Sequence, residues 1–187
     1  MGTYSDDRQP SLERLLVEPA RERIDLRFVV AGPKYPDAVE WPGNVERIEH
    51  LPPSEHREFY NTQRATLNIT RADMIEAGYS PSVRLFEAAA CGVPIISDHW
   101  EGLDDFFEIG TEILVGRSSA DVVRYLSNTG DDELRSIGDR ARRRVLSQHT
   151  SAHRAEELEN YILEASAVKA RARSRSRSVM PSAQFSR

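Results

Sequence analysis

Short apolar runs alternate with amphipathic helical patterns along most of this chain, and this alternation constrains the fold more than any other feature. Residues 26–31 (LRFVVA) form an apolar run that Gly32 ends, as expected of a buried strand. Before this run, Leu12, Leu15 and Leu16 recur at helical spacing. Strands that alternate with helices form right-handed βαβ units. The sequence therefore predicts an α/β fold, with a Rossmann-like parallel sheet sandwiched by helices.

The same patterns predict the bounds of the individual elements. Runs of apolar and β-branched residues indicate strands, and apolar residues three and four positions apart indicate helices. The predicted strands are 26–31, 45–49, 65–70, 93–97 and 112–115, and the predicted helices are 11–20, 54–63, 82–91, 103–107, 119–127, 131–147 and 151–165.

The end of the chain differs in composition from the rest. The 187-residue chain has a net charge of −5, but residues 167–187 carry six basic side chains and no acidic one. A charged segment without apolar periodicity buries too little surface to fold. We therefore expect one folded domain over residues 1–166 and a disordered Arg/Ser-rich tail over residues 167–187.

Several absences in the sequence bear on location and on metal binding. Cys91 is the single cysteine, no run approaches the roughly 20 apolar residues of a membrane helix, and the N-terminus lacks the pattern of a signal peptide. These features predict a cytoplasmic protein without a membrane span. The five histidines do not combine into a metal-ligand pattern, so we expect neither a metal nor a cofactor.

The loop at 71–80 and the helix after it are the first candidate for a ligand site. Open parallel sheets bind ligands at the carboxyl ends of their strands, where such loops lead into helices. If Ser80 caps the helix and the proline after it takes the first helical position, the free amides of Ser82 and Val83 point outward. This helix start, with Arg84 nearby, suits a phosphate group.

Glu87 is the second candidate. It shares a helix face with Val83 and Cys91, so a small and apolar stripe contains one carboxylate, which is costly unless a partner satisfies it. Glu87 lies about 7 Å along the helix axis from Ser82. That separation suits a nucleotide with its phosphates at the helix start and its ribose at Glu87. A half-buried surface residue paired with Arg84 explains the same spacing equally well.

The segment 81–98 (PSVRLFEAAACGVPIISD) resembles the donor-site signature of GT-B glycosyltransferases. Its closest likeness is to the CgeB-like, spore-protein-type branch of the group 1 glycosyltransferases. The resemblance implies the donor-binding C-terminal half of a hexosyltransferase-type enzyme that uses a UDP- or GDP-linked sugar. It also implies that Glu87 contacts the ribose and that amides around Ser82 and Val83 hold the diphosphate. The implied donor site comprises Thr3, Arg8, Gly78, Tyr79, Ser80, Ser82, Val83, Arg84 and Glu87.

The chain departs from the family pattern in two places. Many group 1 enzymes carry two glutamates eight positions apart, whereas Tyr79 stands eight positions before Glu87 here. The segment Gly2-Thr3-Tyr4 looks like the glycine loop that follows the first strand of such a domain, so that strand is expected to be absent. Arg8 is then either a diphosphate contact or, equally, a solvated loop residue. We therefore expect the chain to be inactive without an N-terminal acceptor domain, and to pair with such a domain or with a second copy of itself.

Two other classes of function remain as alternatives. The first is a non-catalytic nucleotide-binding or subunit-docking module, favoured by the sheet edge that an absent strand exposes. The second is a nucleic-acid binder that uses the Arg/Ser tail. The acidic body, which has no aromatic platform, argues against nucleic acid. His99 and Trp100 follow the fourth predicted strand and either shape the sugar pocket or pack as an ordinary loop.

Overall fold

The computed structural model describes residues 1–178 and the side chains of residues 1–169. Within this range the chain alternates strands with helices, as the sequence predicts. The strands are β1 (Phe28–Ala31), β2 (Val45–Ile48), β3 (Thr66–Asn68), β4 (Ile95–Ser97) and β5 (Leu114–Val115). The α-helices are α1 (Gln9–Leu12), α2 (Glu18–Glu22), α3 (His56–Asn61), α4 (Ala72–Ala77), α5 (Val83–Cys91), α6 (Leu103–Phe106), α7 (Ser119–Asn128), α8 (Asp131–Gln148) and α9 (Ser151–Ser178).

The strands form two parallel sheets instead of one. In the first sheet β1 pairs with β2, and in the second β4 lies between β3 and β5. Every pairing is parallel, which confirms the predicted α/β class with helices flanking parallel strands. Among the described residues no strand lies between β1 and β3, and the two sheets are therefore not joined by hydrogen bonds.

The first helical segment is regular only in parts. A 3₁₀ turn at Asp6–Arg8 leads into α1, and a π-helical stretch at Glu13–Val17 separates α1 from α2. Pro19 explains the widened turn, because a proline inside a helix removes one N–H donor and crowds the carbonyl four residues earlier. The predicted leucine face is nevertheless correct, since Leu15 and Leu16 are buried.

The core consists of two apolar clusters of buried residues. The first joins the leucines of the N-terminal helical segment to β1, α7 and the start of α8. The second joins α5, β4 and α6 to the middle of α8, with Tyr60 of α3 at its edge. Each cluster fills the space between strands and helices, which holds the carboxyl ends of the strands and the following loops in fixed positions.

Two segments differ from the sequence prediction. Residues 71–80, expected as a loop, contain the short helix α4, whose Ala, Met, Ile and Glu residues are compatible with helix. The second unit of the chain starts at Gln148 and contains helix α9. This helix continues through residues 167–178, where the sequence predicts disorder. Alanine and arginine in that stretch favour helix. Residues 179–187 of the expected tail lie outside the described residues.

No described helix has the length and apolarity needed to cross a membrane.

Candidate functional site

Helix α5 begins later than its sequence suggests. Ser82, with extended backbone angles (φ −71°, ψ 137°), is the N-cap, and its carbonyl accepts the N–H of Leu85 at 3.0 Å. The prediction that Ser80 is the cap is therefore wrong, and the proline after Ser80 lies outside the helix. The free amides at the helix start belong to Val83 and Arg84, because the first N–H groups of a helix have no intrahelical acceptor. The predicted end is correct, since Gly92 adopts the left-handed conformation.

The N-terminal segment lies at the carboxyl end of β1. The Gly2 N–H donates to the carbonyl of Ala31 at 2.7 Å, and the Tyr4 N–H donates to the carbonyl of Pro33 at 3.1 Å. Gly32 adopts φ +147°, and a Cβ atom at this position would overlap the Gly2 carbonyl. The segment Met1–Tyr4, which we call the Gly2 loop, is thus placed at the edge of the sheet where ligands bind in parallel α/β folds.

Two arginines from different elements hold this loop. Arg84 of α5 donates from Nη1 to the Met1 carbonyl at 2.7 Å, and Arg8 donates from Nη1 to the Thr3 carbonyl at 2.8 Å. Arg8 is only 9% exposed, and its buried Nε has no hydrogen-bond partner. Arg8 is therefore not the solvated loop residue that the sequence left open. Thr3 contributes its carbonyl and is otherwise exposed.

The field around the Gly2 loop is positive. Burial lowers the pKa of Arg8, and the charge of Arg84 lowers that pKa further. Burial also lowers the pKa of the Met1 α-amino group to about 5, with the charges of Arg84, Arg8 and Arg47 adding to the effect. Among the described residues neither Arg8 nor Arg84 makes a salt bridge. Unpaired guanidinium groups this close together favour a bound anion.

Glu87 lies on the same helix as Arg84 but has a different partner. Its carboxylate is 4.0 Å from His56 Nδ1, and its side chain is 41% exposed. Burial raises the pKa of the neighbouring Tyr60 to about 12, and the charge of Glu87 contributes. The predicted apolar stripe is wrong, because Val83 is 69% exposed and the buried face of α5 carries other residues. The described contacts of Glu87 are therefore with α3.

The residues of the loop before α5 contact a different part of the sheet edge. The Tyr79 N–H donates to the Glu101 carbonyl at 2.7 Å, and the Tyr79 ring lies directly against Gly102. Gly78 is buried and has φ +63°. Nearby Glu101 raises the pKa of the Tyr79 hydroxyl. These contacts tie Gly78 and Tyr79 to the loop after β4, whereas Ser80, which precedes α5 in the sequence, is half-buried.

A buried polar group at the ends of β3 and β4 was not found from the sequence. The Asp98 carboxylate accepts hydrogen bonds from the N–H and the hydroxyl of Thr70, both at 2.7 Å, and Asn68 donates to Ser97 Oγ at 3.0 Å. Burial raises the pKa of Asp98. These bonds fasten the two loops that border the site. Trp100 is a core residue at 2% exposure. Of the two roles that the sequence left open for this residue, packing in the core is therefore correct, and shaping the sugar pocket is not.

These features define a Rossmann-like α/β domain with a positively charged loop-and-helix site at the carboxyl edge of its sheet. Residues 8–160 match the model of the family described as Glycosyl transferase-like, and the chain belongs to that family. No curated protein sequence matches the chain. The family match does not identify the CgeB-like branch, which stays a prediction.

Solved structures of glycosyltransferases share this fold. Sucrose-phosphate synthase from Thermosynechococcus elongatus superposes with a TM-score of 0.63 at 14% identity over 83% of this chain and 43% of that one. Anabaena Alr3699/HepE in complex with UDP and glucose gives 0.64 at 9% identity over 88% and 47%. AviGT4, a glycosyltransferase involved in avilamycin A biosynthesis, gives 0.51 at 20% identity over 79% and 49%. The fold is that of a GT-B half-domain, and the chain spans less than half the length of these three structures.

Proposed function

We propose that this chain is the donor-binding domain of a glycosyltransferase and binds a nucleoside-diphosphate sugar between the Gly2 loop and α5. The observation that carries the proposal is the convergence of Arg8 and Arg84, neither paired with an acid, on one loop at the sheet edge. The amides of Val83 and Arg84 at the start of α5 have no intrahelical acceptor and supply further donors. A diphosphate fits such a combination of charge and backbone donors.

Glu87 is proposed as the ribose contact. Its carboxylate is accessible to solvent and lies in the second turn of α5, with His56 on the neighbouring α3. Carboxylate oxygens accept hydrogen bonds from hydroxyl groups, so vicinal ribose hydroxyls suit this position. UDP is the first nucleotide to test, because it is the nucleotide bound in the Anabaena Alr3699/HepE structures.

In the proposed reaction the bond between the anomeric carbon and the terminal phosphate oxygen breaks. The oxygen of an acceptor hydroxyl forms the new bond to that carbon, and its proton passes to the departing diphosphate or to solvent. Negative charge develops on the departing diphosphate. Arg8, Arg84 and the positive end of α5 stabilise that charge, which is electrostatic catalysis by groups already in place. This chemistry assigns no role to a metal ion or cofactor.

An acceptor site is proposed to come from a second domain, either an N-terminal domain or another copy of the chain. The related structures are about twice as long as this chain, which supports a two-domain enzyme. The nature of the sugar, including hexosyl specificity, and the cytoplasmic location stay predictions. The nucleic-acid alternative, which uses the Arg/Ser tail, also stays a prediction.

Calorimetric titration of the full chain with UDP, UDP-glucose and GDP tests the proposal. Arg84→Gln removes one charge from the diphosphate site and is expected to weaken nucleotide binding about tenfold, which corresponds to roughly 1.4 kcal/mol of binding free energy. Arg135→Gln is the matched control, because Arg135 is an exposed arginine of α8 paired with Asp132. Equal binding by both variants, or no binding by a chain that melts cooperatively, would overturn the proposal.

A further inference from the structure

Arg8 lies in a short turn that precedes the first α-helix. The turn is the 3₁₀ segment Asp6–Arg8, and the Arg8 N–H donates to the Ser5 carbonyl at 3.1 Å. The Arg8 guanidinium donates to the Thr3 carbonyl, and its buried Nε has no hydrogen-bond partner among the described residues. The position of the guanidinium therefore depends mainly on how the turn is held.

Asp7, the residue before Arg8, fastens this turn to a segment far along the chain. Its carboxylate accepts the N–H of Ala72 at 3.0 Å and the Nε–H of Arg71 at 3.3 Å, from residues 65 and 64 positions away. The same carboxylate accepts a hydrogen bond from the Ser5 hydroxyl, within the turn. One side chain thus bonds both to the turn that carries Arg8 and to the start of α4.

The Ala72 N–H is a group that requires such a partner. Arg71 is the N-cap of α4, and its side chain makes no capping hydrogen bond. The first N–H groups of a helix have no intrahelical acceptor. Asp7 supplies the acceptor that a capping side chain usually provides. Removal of the Asp7 carboxylate therefore frees the turn and leaves the start of α4 without this acceptor.

The start of α4 is itself firmly attached to the second sheet. Thr70, two residues before Ala72, is buried, and its N–H and its hydroxyl both donate to the Asp98 carboxylate at 2.7 Å. Asp98 directly follows β4, the middle strand of that sheet. Two carboxylates from different segments, Asp7 and Asp98, therefore bind the short stretch 70–72. Through this stretch the turn that carries Arg8 is joined to the second sheet.

Asp7 pairs with Arg71 and not with Arg8. Among the described residues the ion pair of Asp7 is with Arg71 Nε, and no ion pair joins Asp7 to Arg8. The hydrogen bond from Ser5 and the charge of Arg71 hold the pKa of Asp7 below its ordinary value, so the carboxylate is ionised at neutral pH. Asp7 thus restrains the turn without neutralising the Arg8 guanidinium.

This restraint matters because Arg8 and Arg84 meet at Gly2. A Cβ atom at Gly2 would touch Nη1 of both arginines. We call this place, formed by the two guanidinium groups and the Gly2 loop, the anion site. Like charges repel, so the two groups stay together in the absence of an anion only if other contacts hold them. The Met1 carbonyl holds Arg84, and the Asp7 carboxylate holds the turn of Arg8.

We propose that Asp7 is a positioning residue of the anion site, which holds Arg8 beside Arg84 by bonding the turn of Arg8 to the Ala72 N–H. Asp7 acts through the backbone of the turn and makes no contact with the nucleotide. This inference rests on the proposed function, because the anion assigned to Arg8 is the diphosphate of the donor. Charges fixed in advance bind and stabilise an anion without the cost of being brought together.

Calorimetric titration of the full chain with UDP is the first test. Asp7→Ala is expected to weaken UDP binding about tenfold, whereas Asp7→Asn keeps an acceptor for the Ala72 N–H and is expected to weaken it about twofold. Asp73→Ala is the matched control, because Asp73 also pairs with Arg71 and lies in the first turn of α4. Equal losses in Asp7→Ala and Asp73→Ala would overturn the proposal.

A double-mutant cycle with Arg8→Gln separates positioning from a general loss of stability. If Asp7 acts through Arg8, Asp7→Ala weakens UDP binding no further once Arg8 is replaced by glutamine. The two effects are then strongly non-additive. A loss of about tenfold that persists in the Arg8→Gln background would show that Asp7 acts by another route, and would overturn the proposal.

A measurement without nucleotide tests the positioning of Arg8 independently of the proposed function. The Arg8 Nε–H is buried, so its proton is expected to exchange slowly with solvent, and its nitrogen-15 resonance is assigned by its absence in Arg8→Gln. Asp7→Ala is expected to speed this exchange about tenfold or more, and Asp73→Ala to leave it unchanged. Equal exchange in the wild type and both variants would overturn the positioning role. If the wild type shows the expected difference but binds no UDP, the proposed function fails and the positioning role stands.

Discussion

The backbone of Gly32 lies directly against the backbone of Gly2, and no side chain fits between the two segments. Gly32 adopts φ +147°, and a Cβ atom there would overlap the Gly2 carbonyl oxygen. The contact joins the end of β1 to the loop that Arg8 and Arg84 hold. The geometry of the proposed anion site thus depends on a glycine that carries no functional group.

Gly32→Ala is expected to destabilise the fold by about 2 kcal/mol, because the variant adds a backbone clash to an unfavourable φ. Urea denaturation followed by circular dichroism measures this loss. Gly43→Ala is the matched control, since a Cβ atom at Gly43 meets nothing within 4 Å. Equal stability of the two variants would contradict the prediction, because it would show that the Gly2 loop moves away from the added Cβ atom without any loss in the free energy of unfolding.

Arg8→Lys is expected to weaken UDP binding about tenfold while the chain stays folded. Lysine keeps the charge but lacks the planar fork with which arginine holds a backbone carbonyl and a phosphate together. Calorimetry at low and at moderate salt measures the effect. Arg124→Lys is a suitable control because Arg124 is exposed and pairs with Asp121 on α7. Unchanged affinity in Arg8→Lys would remove Arg8 from the site.

Glu87→Gln is expected to weaken the binding of UDP about tenfold and to leave the binding of 2′,3′-dideoxy-UDP nearly unchanged. A neutral amide accepts a weaker hydrogen bond from ribose hydroxyls than a carboxylate does, and the dideoxy nucleotide has no such hydroxyls. The comparison separates a ribose contact from a general effect of charge. An equal loss for both nucleotides would contradict the ribose assignment, and Glu133→Gln on the exposed start of α8 controls for net charge.

The raised pKa of Tyr60 is expected to lower the free energy of unfolding at alkaline pH. Burial, aided by the charge of Glu87, raises the pKa of Tyr60 from 10.0 to about 12. The unfolded chain therefore loses this proton at a lower pH than the folded chain does, so the stabilisation is complete below pH 10 and is lost as the pH rises from 10 toward 12. Two pKa units correspond to about 2.7 kcal/mol.

Denaturation of the wild-type chain and of Tyr60→Phe between pH 9 and pH 11.5 checks this prediction. Phenylalanine keeps the apolar ring in the second core cluster and removes the titrating hydroxyl. The stability difference between the two proteins is expected to shift in favour of Tyr60→Phe as the pH rises. Parallel pH profiles for the two proteins would mean that Tyr60 titrates normally in the folded chain.

Much of the fold and part of the site could be predicted from the sequence. The strands and helices were predictable because apolar residues recur with the periods of the two structures, as Leu15 and Leu16 show. The short helix α4 was not, because its six residues carry no clear amphipathic pattern. The predicted N-cap of α5 is wrong because both Ser80 and Ser82 are residue types that cap helices, and the local sequence does not decide between them.

The sequence by itself determined the α/β class, the order of the elements and the presence of a helix start followed by an acid at Glu87. Local periodicity and glycine placement are enough for those features. Only the tertiary structure brought Arg84 to the Met1 carbonyl, 83 residues away, and Glu87 to His56. Only the tertiary structure, too, divided the strands into two parallel sheets. Side-chain partners and strand neighbours depend on contacts between distant segments, and no local pattern encodes those contacts.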